Sequence, residues 1–215
     1  MLRILLADDH DIVRRGLKDL LEEHAGWKVC AEAANGRTAV ELALEHRPHV
    51  AILDLSMPEL NGLEATHRIR QGAPETEVLI FTMHESEELI RDVLAAGARG
   101  YLLKSDAVRQ LVPAVESLAR RQPFFAGRIS ELLLEGFLKA GRVEPVSPAM
   151  ARLTSREREV VQLLAEGKSN KQIAKLLDLS VKTVETHRAA VMRKLEISSL
   201  ADLVRFAIRN QLIQP

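Results

Sequence analysis

The sequence predicts a doubly wound α/β domain with five parallel strands at residues 1–121, followed by a small all-α domain at residues 150–215. In the first part, short apolar runs that end in polar residues alternate with amphipathic stretches. This alternation is typical of a parallel sheet covered by helices. The last 66 residues carry no strand pattern, and hydroxyl residues stand where helices are expected to begin. The chain therefore changes fold class near residue 150.

Four of the five predicted strands are apolar runs that end directly before polar side chains, and the fifth lies near residues 28–32. The polar residues that follow the four runs are Asp8, Asp9, Asp54, Thr82 and Lys104. Parallel α/β sheets bind ligands at the carboxyl ends of their strands. We therefore expect three acids, a hydroxyl and an ammonium to meet at one edge of the sheet.

The gathered carboxylates of this edge indicate a metal site. Like charges at such short range repel each other, and a divalent cation removes that cost. Oxygen ligands favour a hard ion such as Mg²⁺, with Mn²⁺ as an alternative. Asp54 could then attack a phosphoryl donor, while Lys104 pairs with the transferred group and Thr82 hydrogen-bonds to it.

Apolar residues at helical spacing predict which faces of the first and last helices of this domain are buried. The first helix has Ile12, Val13, Gly16, Leu17, Leu20 and Leu21 on one face. The last has Val108, Leu111, Val112, Val115 and Leu118 on one face. We expect both faces to pack against the sheet.

Residues 122–149 form a predicted linker, which begins and ends with proline-containing segments. Apolar residues between these ends predict a helix with one apolar side. Such a side more often packs on a domain than carries a signal, although both roles are open for this segment.

Helix starts in the C-terminal segment are marked by capping residues. Thr154 and Ser169 each precede a Glu or Gln by three residues, the pattern of a capping box. Ser180 is expected to cap a third helix, and a fourth is expected to begin near Ser199. Asp178 lies where a residue in the left-handed conformation would end the second helix. The short turn that it implies between the second and third helices predicts a helix-turn-helix.

The third of these helices has a polar outer face near its N-terminus, the part of a recognition helix that reaches base edges in the major groove. The outer face consists of Lys182, Glu185, Thr186, Ala189 and Arg193. Four residues flank it and are better placed for phosphates, namely Lys171, Thr183, Arg188 and Lys194. His187 falls near the inner face, where it would pack or contact a phosphate. A solvated helix face is the plainer alternative for the whole set.

Charge is distributed unevenly although the formal net charge is zero. Residues 1–121 hold 15 basic and 20 acidic side chains, and residues 150–215 hold 12 and 7. This asymmetry favours a polyanion as the partner of the second domain. Cys30 is the single cysteine, and no apolar stretch approaches the length of a membrane span. A cytoplasmic protein without membrane contact is expected.

Taken with the acidic edge, residues 1–121 resemble a two-component receiver domain, which has a flavodoxin-like fold. The resemblance implies that Asp8 and Asp9 form the metal pair, that Asp54 is the phosphoacceptor and that the Ser56 carbonyl completes the metal shell. It also implies switch roles for Thr82 and Tyr101 and a phosphate-pairing role for Lys104. Two features of this part bear on how closely it follows the family. Ser105 replaces the proline that often follows the lysine, and Ser56 and His84 occupy the variable positions that influence the lifetime of the phosphate.

The segment from Leu153 to Arg188 is similar to the LuxR-type helix-turn-helix. With the receiver-like part, this order resembles the NarL/FixJ class of response regulators. The resemblance implies a sensor histidine kinase and double-stranded DNA as partners, a homodimer on DNA, and RNA polymerase as a further partner. In that class the final helix commonly carries the dimer contact. The residues that would serve here are Leu200, Leu203, Val204 and Ala207.

The resulting hypothesis is a phosphorylation-controlled transcription regulator whose only catalysis is its own phosphorylation and dephosphorylation. Two other classes stay open on the residues alone. An aspartyl phosphatase also uses a nucleophilic Asp with Mg²⁺, but its usual second acid is replaced by Ser56. A DNA-binding regulator switched by a small ligand is the second class, but it does not explain why Asp8, Asp9 and Lys104 occur together with Asp54.

Overall fold

The computed structural model describes residues 1–125, 150, 152–210 and 212–213, and the chain divides into two compact units. Over its described residues, the N-terminal unit contains a parallel sheet and five α-helices. Its strands are β1 (Leu2–Ala7), β2 (Trp27–Ala33), β3 (Val50–Asp54), β4 (Glu77–Thr82), β5 (Gly100–Leu103) and β6 (Phe124–Phe125). Its helices are α1 (Asp11–Glu22), α2 (Gly36–His46), α3 (Gly62–Gly72), α4 (Glu87–Ala95) and α5 (Ala107–Ala119).

The strand order is β2-β1-β3-β4-β5-β6, and all pairs are parallel. The order reverses between β1 and β3, which is the topological switch point of a doubly wound sheet. Every residue of β3 and β4 is buried, as expected for strands covered on both faces. The predicted fold class of this domain is confirmed.

Over the described residues the sheet has six strands, one more than predicted. Phe124 and Phe125 pair with Gly100 and Tyr101 at the edge of β5, beyond the predicted domain boundary at residue 121. A two-residue strand is too short to show any periodicity. The predicted linker helix lies outside the described residues.

One apolar core cluster joins helices α1 and α5 to the sheet. Leu17, Leu21, Leu111 and Leu118 are buried in it together with strand residues, whereas α2 and α3 pack against each other and against the sheet. The predicted faces were wrong at Ile12, Gly16 and Val108, and Gly16 is exposed with nothing within 4 Å of where its Cβ would lie. Ile12 and Val108 are each 88% exposed, because each is the second residue of its helix.

The C-terminal unit is all helical over its described residues. Its helices are α6 (Ser155–Ala165), α7 (Asn170–Leu177), α8 (Val181–Lys194) and α9 (Leu200–Arg209). The capping boxes at Thr154 and Ser169 are both formed, and Ser180 and Ser199 cap α8 and α9. Asp178 ends α7 at φ 51° in the left-handed region. The predicted helix-turn-helix is confirmed.

The apolar side of α9 belongs to the core of this unit. Leu203 and Ala207 are fully buried in the same cluster as Val184 and Val191 of α8. Two of the four residues expected to form a dimer contact are therefore unavailable in this arrangement, because the unit needs them to close its own core. Leu200 is exposed and Val204 is half-buried. Among the helices that the structure describes, none is long and apolar enough to cross a membrane.

Candidate functional site

The acids predicted to meet at one edge of the sheet do meet there. Asp8 and Asp9 follow β1, and Asp54 is the last residue of β3. Strands β1 and β3 are neighbours, with Ala7 paired to Leu53. Asp8, Asp9 and Asp54 each place a carboxylate oxygen in a group whose ligand atoms all lie within 4.8 Å of one another. We call these three residues the acidic site.

Lys104 reaches the acidic site from the end of β5. Its Nζ lies 2.7 Å from Asp8 Oδ2 and 3.1 Å from Asp54 Oδ2. Asp8 and Asp54 are both buried, so the ion pairs are shielded from solvent. The lysine that sequence spacing alone placed at this edge therefore contacts two of the three acids.

Burial makes Asp54 hard to ionise. It raises the pKa of Asp54 to about 6, even though the neighbouring Lys104 favours the charged form. Burial alone would lower the pKa of Lys104, but its bonds with Asp8 and Asp54 raise it. The site thus places the charged Lys104 ammonium beside the Asp54 carboxylate, whose ionised form is destabilised by burial.

The acidic site fits a divalent cation. Asp9 Oδ1 is buried and accepts no hydrogen bond from the residues that the structure describes. Asp54 Oδ2 is also buried and accepts no aligned hydrogen bond there, although the Lys104 ammonium lies 3.1 Å from it. Buried carboxylate oxygens without a donor are costly unless a cation satisfies them. Oxygen donors of this kind are the ligands of Mg²⁺ and Mn²⁺. Ser56, whose carbonyl was predicted to join them, is buried two residues after Asp54.

Gly62 permits the tight approach of helix α3 to the end of β3. A Cβ at this position would lie 2.3 Å from the Asp54 carbonyl oxygen and 2.9 Å from Leu55 Cα. The Gly62 amide donates to the Leu55 carbonyl at 2.7 Å. The loop that carries Ser56 is consequently held against the backbone of Asp54.

The predicted switch residues lie on the two strands beyond β3. Asp54 pairs with Phe81, so Thr82 lies one residue past the acidic site, and its Oγ1 accepts a hydrogen bond from the His84 amide at 3.2 Å. Tyr101 is fully buried on β5 and its hydroxyl donates to the His84 carbonyl. Burial raises the pKa of Tyr101. Both side chains therefore contact the same segment after β4.

The backbone around Lys104 is regular. Residues Lys104–Asp106 form a single turn of 3-10 helix, and the Lys104–Ser105 bond is trans, as are the other described peptide bonds. The lysine reaches the acids without the proline that often follows it.

His10 is a site residue that the sequence interpretation missed. Its Nδ1 lies 2.8 Å from Asp9 Oδ1 and 3.2 Å from Asp8 Oδ1. Its backbone amide also donates to Asp8 Oδ1 at 2.9 Å. The position directly after Asp9 is the signal that could have revealed it.

The outer face of helix α8 is a candidate nucleic-acid interface. All five residues predicted on it, Lys182, Glu185, Thr186, Ala189 and Arg193, are exposed, and all five line a shallow surface depression. Lys171 and Arg188 line a second depression, next to the start of α7. Thr183 shares a hydrogen bond with Ser180 at 2.8 Å, and His187 is half-buried.

Lys194 is arranged differently from its neighbours. Its Nζ lies 2.6 Å from Oε2 of Glu157, a buried residue of helix α6 that also accepts hydrogen bonds from the Thr154 amide and hydroxyl. Burial opposes charge on Glu157, yet the bonds from Lys194 and Thr154 lower its pKa. The ammonium that sequence spacing assigned to a DNA phosphate therefore forms an ion pair within the domain, while 32% of the Lys194 side chain is exposed.

Comparison with known families finds two matches. Residues 4–116 match the family described as "Response regulator receiver domain". Residues 151–207 match the family described as "Bacterial regulatory proteins, luxR family". The two matches follow the order predicted from the residues.

Individual proteins are similar over nearly the whole chain. The oxygen regulatory protein NreC of Staphylococcus epidermidis is 39% identical over 217 residues, covering 99% of this chain and 100% of that protein. The response regulator RcsB of Salmonella typhimurium has a solved structure that is 28% identical, covers 96% of this chain and 98% of its own, and has a TM-score of 0.59. A LuxR-family response regulator from Aurantimonas is 37% identical, with a TM-score of 0.60, over 64% of this chain and 98% of its own.

Proposed function

The chain belongs to the response regulators that join a receiver domain to a LuxR-type DNA-binding domain, and on this basis we propose that Asp54 is its phosphoacceptor. A sensor histidine kinase would supply the phosphoryl group, and the resulting change would act on DNA binding by the helical domain. The protein is a transcription regulator. Its only catalysis would be its own phosphorylation and dephosphorylation, and it would work in the cytoplasm.

The transfer is a displacement at phosphorus. A carboxylate oxygen of Asp54 attacks, a P–O bond forms, and the bond from phosphorus to the kinase histidine nitrogen breaks with its electron pair left on the imidazole. Lys104 lies 3.1 Å from Asp54, so its ammonium is placed to pair with the phosphoryl oxygens as charge arrives. Asp8, Asp9, Asp54 and the Ser56 carbonyl would hold the Mg²⁺ or Mn²⁺, which offsets the charge of the phosphoryl oxygens when it is bound.

Thr82 and Tyr101 would convey the change from the acidic site. Thr82 Oγ1 is bonded to the His84 amide, and a phosphoryl group on Asp54 offers that hydroxyl a stronger, charged acceptor. Tyr101 is bonded to the carbonyl of the same residue. An altered position of this segment would shift the population of receiver conformations toward the one that favours DNA binding.

Helix α8 would enter the major groove of double-stranded DNA. Its exposed Lys182, Glu185, Thr186, Ala189 and Arg193 would face base edges, and Lys171, Thr183, His187 and Arg188 would contact or approach phosphates. Solved structures include an RcsB–DNA complex that is 27% identical to this chain and RcsB dimers bound to DNA. By analogy this chain would bind DNA as a homodimer, with RNA polymerase as a further partner.

One observation carries the proposal, namely the buried Asp54 carboxylate in ion-pair contact with Lys104 beside two further acids. The test is incorporation of labelled phosphate from acetyl phosphate in Mg²⁺ by the full chain. Wild-type protein should be labelled, and Asp54→Asn should abolish labelling while leaving the circular dichroism spectrum unchanged.

The exposed Asp11 offers a matched control, because Asp11→Asn also removes one carboxylate near the end of β1. This variant should be labelled like the wild type. Persistent labelling of Asp54→Asn would show that another residue is the phosphoacceptor.

A further inference from the structure

His10 brings a nitrogen donor to an otherwise oxygen-lined site. Its ring belongs to the same group of ligand atoms as Asp8, Asp9 and Asp54, all within 4.8 Å of one another. About half of the His10 side chain is exposed, whereas Asp8 is buried. The imidazole therefore lies at the solvent side of the acidic site.

The spacing around His10 Nδ1 matches the edge of a coordination shell. Metal–ligand bonds of about 2.1 Å in an octahedron place adjacent ligand atoms about 3 Å apart. His10 Nδ1 lies 2.8 Å from Asp9 Oδ1 and 3.2 Å from Asp8 Oδ1. Each of the two carboxylate oxygens is thus as far from the nitrogen as a neighbouring ligand of one small cation would be.

Asp9 Oδ1 supplies a second observation. This oxygen is buried and accepts no hydrogen bond from the described part of the chain, even though His10 Nδ1 is only 2.8 Å away. The short contact is therefore not a well-aligned hydrogen bond. His10 Nδ1 instead shares a hydrogen bond with Asp8 Oδ1 at 3.2 Å. A cation that replaced this proton would be within reach of the nitrogen and of both carboxylate oxygens.

We propose that His10 Nδ1 is an additional ligand of the cation bound at the acidic site, and that the site consequently selects a first-row transition ion such as Mn²⁺ over Mg²⁺. The inference rests on the proposed metal-dependent function and adds a specificity-determining residue to it. Imidazole is a softer donor than carboxylate and suits transition ions, whereas Mg²⁺ prefers oxygen.

The test is a pair of calorimetric titrations of the full chain with Mn²⁺ and with Mg²⁺ at one pH. His10→Asn should weaken Mn²⁺ binding by roughly tenfold or more, since even residues that only support a metal ligand typically contribute 10- to 100-fold to affinity. Mg²⁺ binding should change far less, so the preference for Mn²⁺ falls. His67→Asn is the matched control, because His67 lies on α3 and bonds to Gln71, and it should leave both affinities unchanged.

A spectroscopic measurement reports the nitrogen directly. Electron spin echo modulation of bound Mn²⁺ should show coupling to one imidazole nitrogen in the wild type and in His67→Asn, and none in His10→Asn. Equal affinities in the wild type and His10→Asn, or stronger binding of both ions by His10→Asn, would overturn the inference. The second result would identify His10 as a competing cation.

Failure of the metal site itself gives a different pattern. Wild-type protein that binds neither ion, or Asp9→Asn that binds both ions like the wild type, contradicts the acidic site as the metal centre. Normal metal binding that Asp9→Asn abolishes, without nitrogen coupling in the wild type, contradicts only the role of His10.

Discussion

Asp54 combines two properties that a phosphoacceptor needs and that oppose each other. Its burial keeps water from the carboxylate, but the same burial raises its pKa to about 6. Lys104 supports the charged form at 3.1 Å. The residue is consequently ionised at neutral pH at a cost in folding free energy.

The pH dependence of stability should reveal this cost. The pKa of Asp54 is raised from 3.8 to about 6, so the folded state binds its proton more tightly than the unfolded state does. The stability that this proton contributes is complete below pH 3.8 and is lost as pH rises through about 6. In metal-free buffer at pH 7, Asp54→Asn should therefore be more stable than the wild type by up to about 3 kcal/mol.

Urea unfolding from pH 4.5 to 8 with a chelator measures this difference. The gain from Asp54→Asn should shrink as pH falls below 6. Asp11→Asn, a substitution at an exposed position, should not stabilise the protein. A constant difference between wild type and Asp54→Asn across this range would contradict the raised pKa.

Helices α6 and α8 are held together by a pair of residues far apart in sequence. Lys194 of α8 bonds to Glu157 of α6 at 2.6 Å, and Glu157 also completes the capping box of α6. Arg193, the preceding residue, is exposed on the outer face. Adjacent cations on one helix thus have opposite surroundings.

The two cations should respond differently to the same substitution. Lys194→Gln should lower the unfolding free energy of the helical domain by about 1–3 kcal/mol, because a buried carboxylate loses a charged donor. Its effect on the salt dependence of DNA binding should be small. Arg193→Gln should change stability by less than about 0.5 kcal/mol. It should weaken DNA binding by about 1–3 kcal/mol and relax the sequence preference at the contacted base.

Thermal unfolding and DNA titrations at several salt concentrations, both on the full chain, separate the two effects. A reduced salt slope for Lys194→Gln with unchanged stability would restore the phosphate contact expected from its spacing. No loss of affinity for Arg193→Gln would remove that residue from the interface.

Local sequence predicted most elements because their signals are local. The strand ends at Asp8, Asp54, Thr82 and Lys104 follow from apolar runs, and the caps at Thr154 and Ser169 follow from spacings of three residues. The partner of Lys194 lies 37 positions away, so helical periodicity alone placed its ammonium in solvent. The exposure of Val108 was missed for a related reason. Periodicity identifies which face of a helix is apolar, but not how far along the helix that face is covered by the sheet.

At the scale of the whole molecule, the hypothesis is a coupling between Asp54 and helix α8. Such coupling is reciprocal. The free energy by which phosphorylation favours DNA binding equals the free energy by which bound DNA favours phosphorylation. Coupling of this kind typically amounts to 5- to 150-fold in affinity.

DNA binding by the full chain should therefore tighten by at least about fivefold after treatment with acetyl phosphate and Mg²⁺. Fluorescence anisotropy with a labelled duplex measures the affinity. Asp54→Asn given the same treatment should show no change. Equal affinities of treated and untreated wild type, at full labelling, would show that the two sites are not coupled.

The two-residue strand β6 bears on how the first domain should be isolated. Phe124 and Phe125 occupy the hydrogen-bonding edge of β5 beside Tyr101, and an uncovered strand edge invites pairing with another chain. A fragment that ends at residue 121 would remove this cover and leave the backbone of β5 open to self-association. A fragment for the study of phosphorylation alone should extend through Phe125, so that any dimer it forms is not an artefact of the cut.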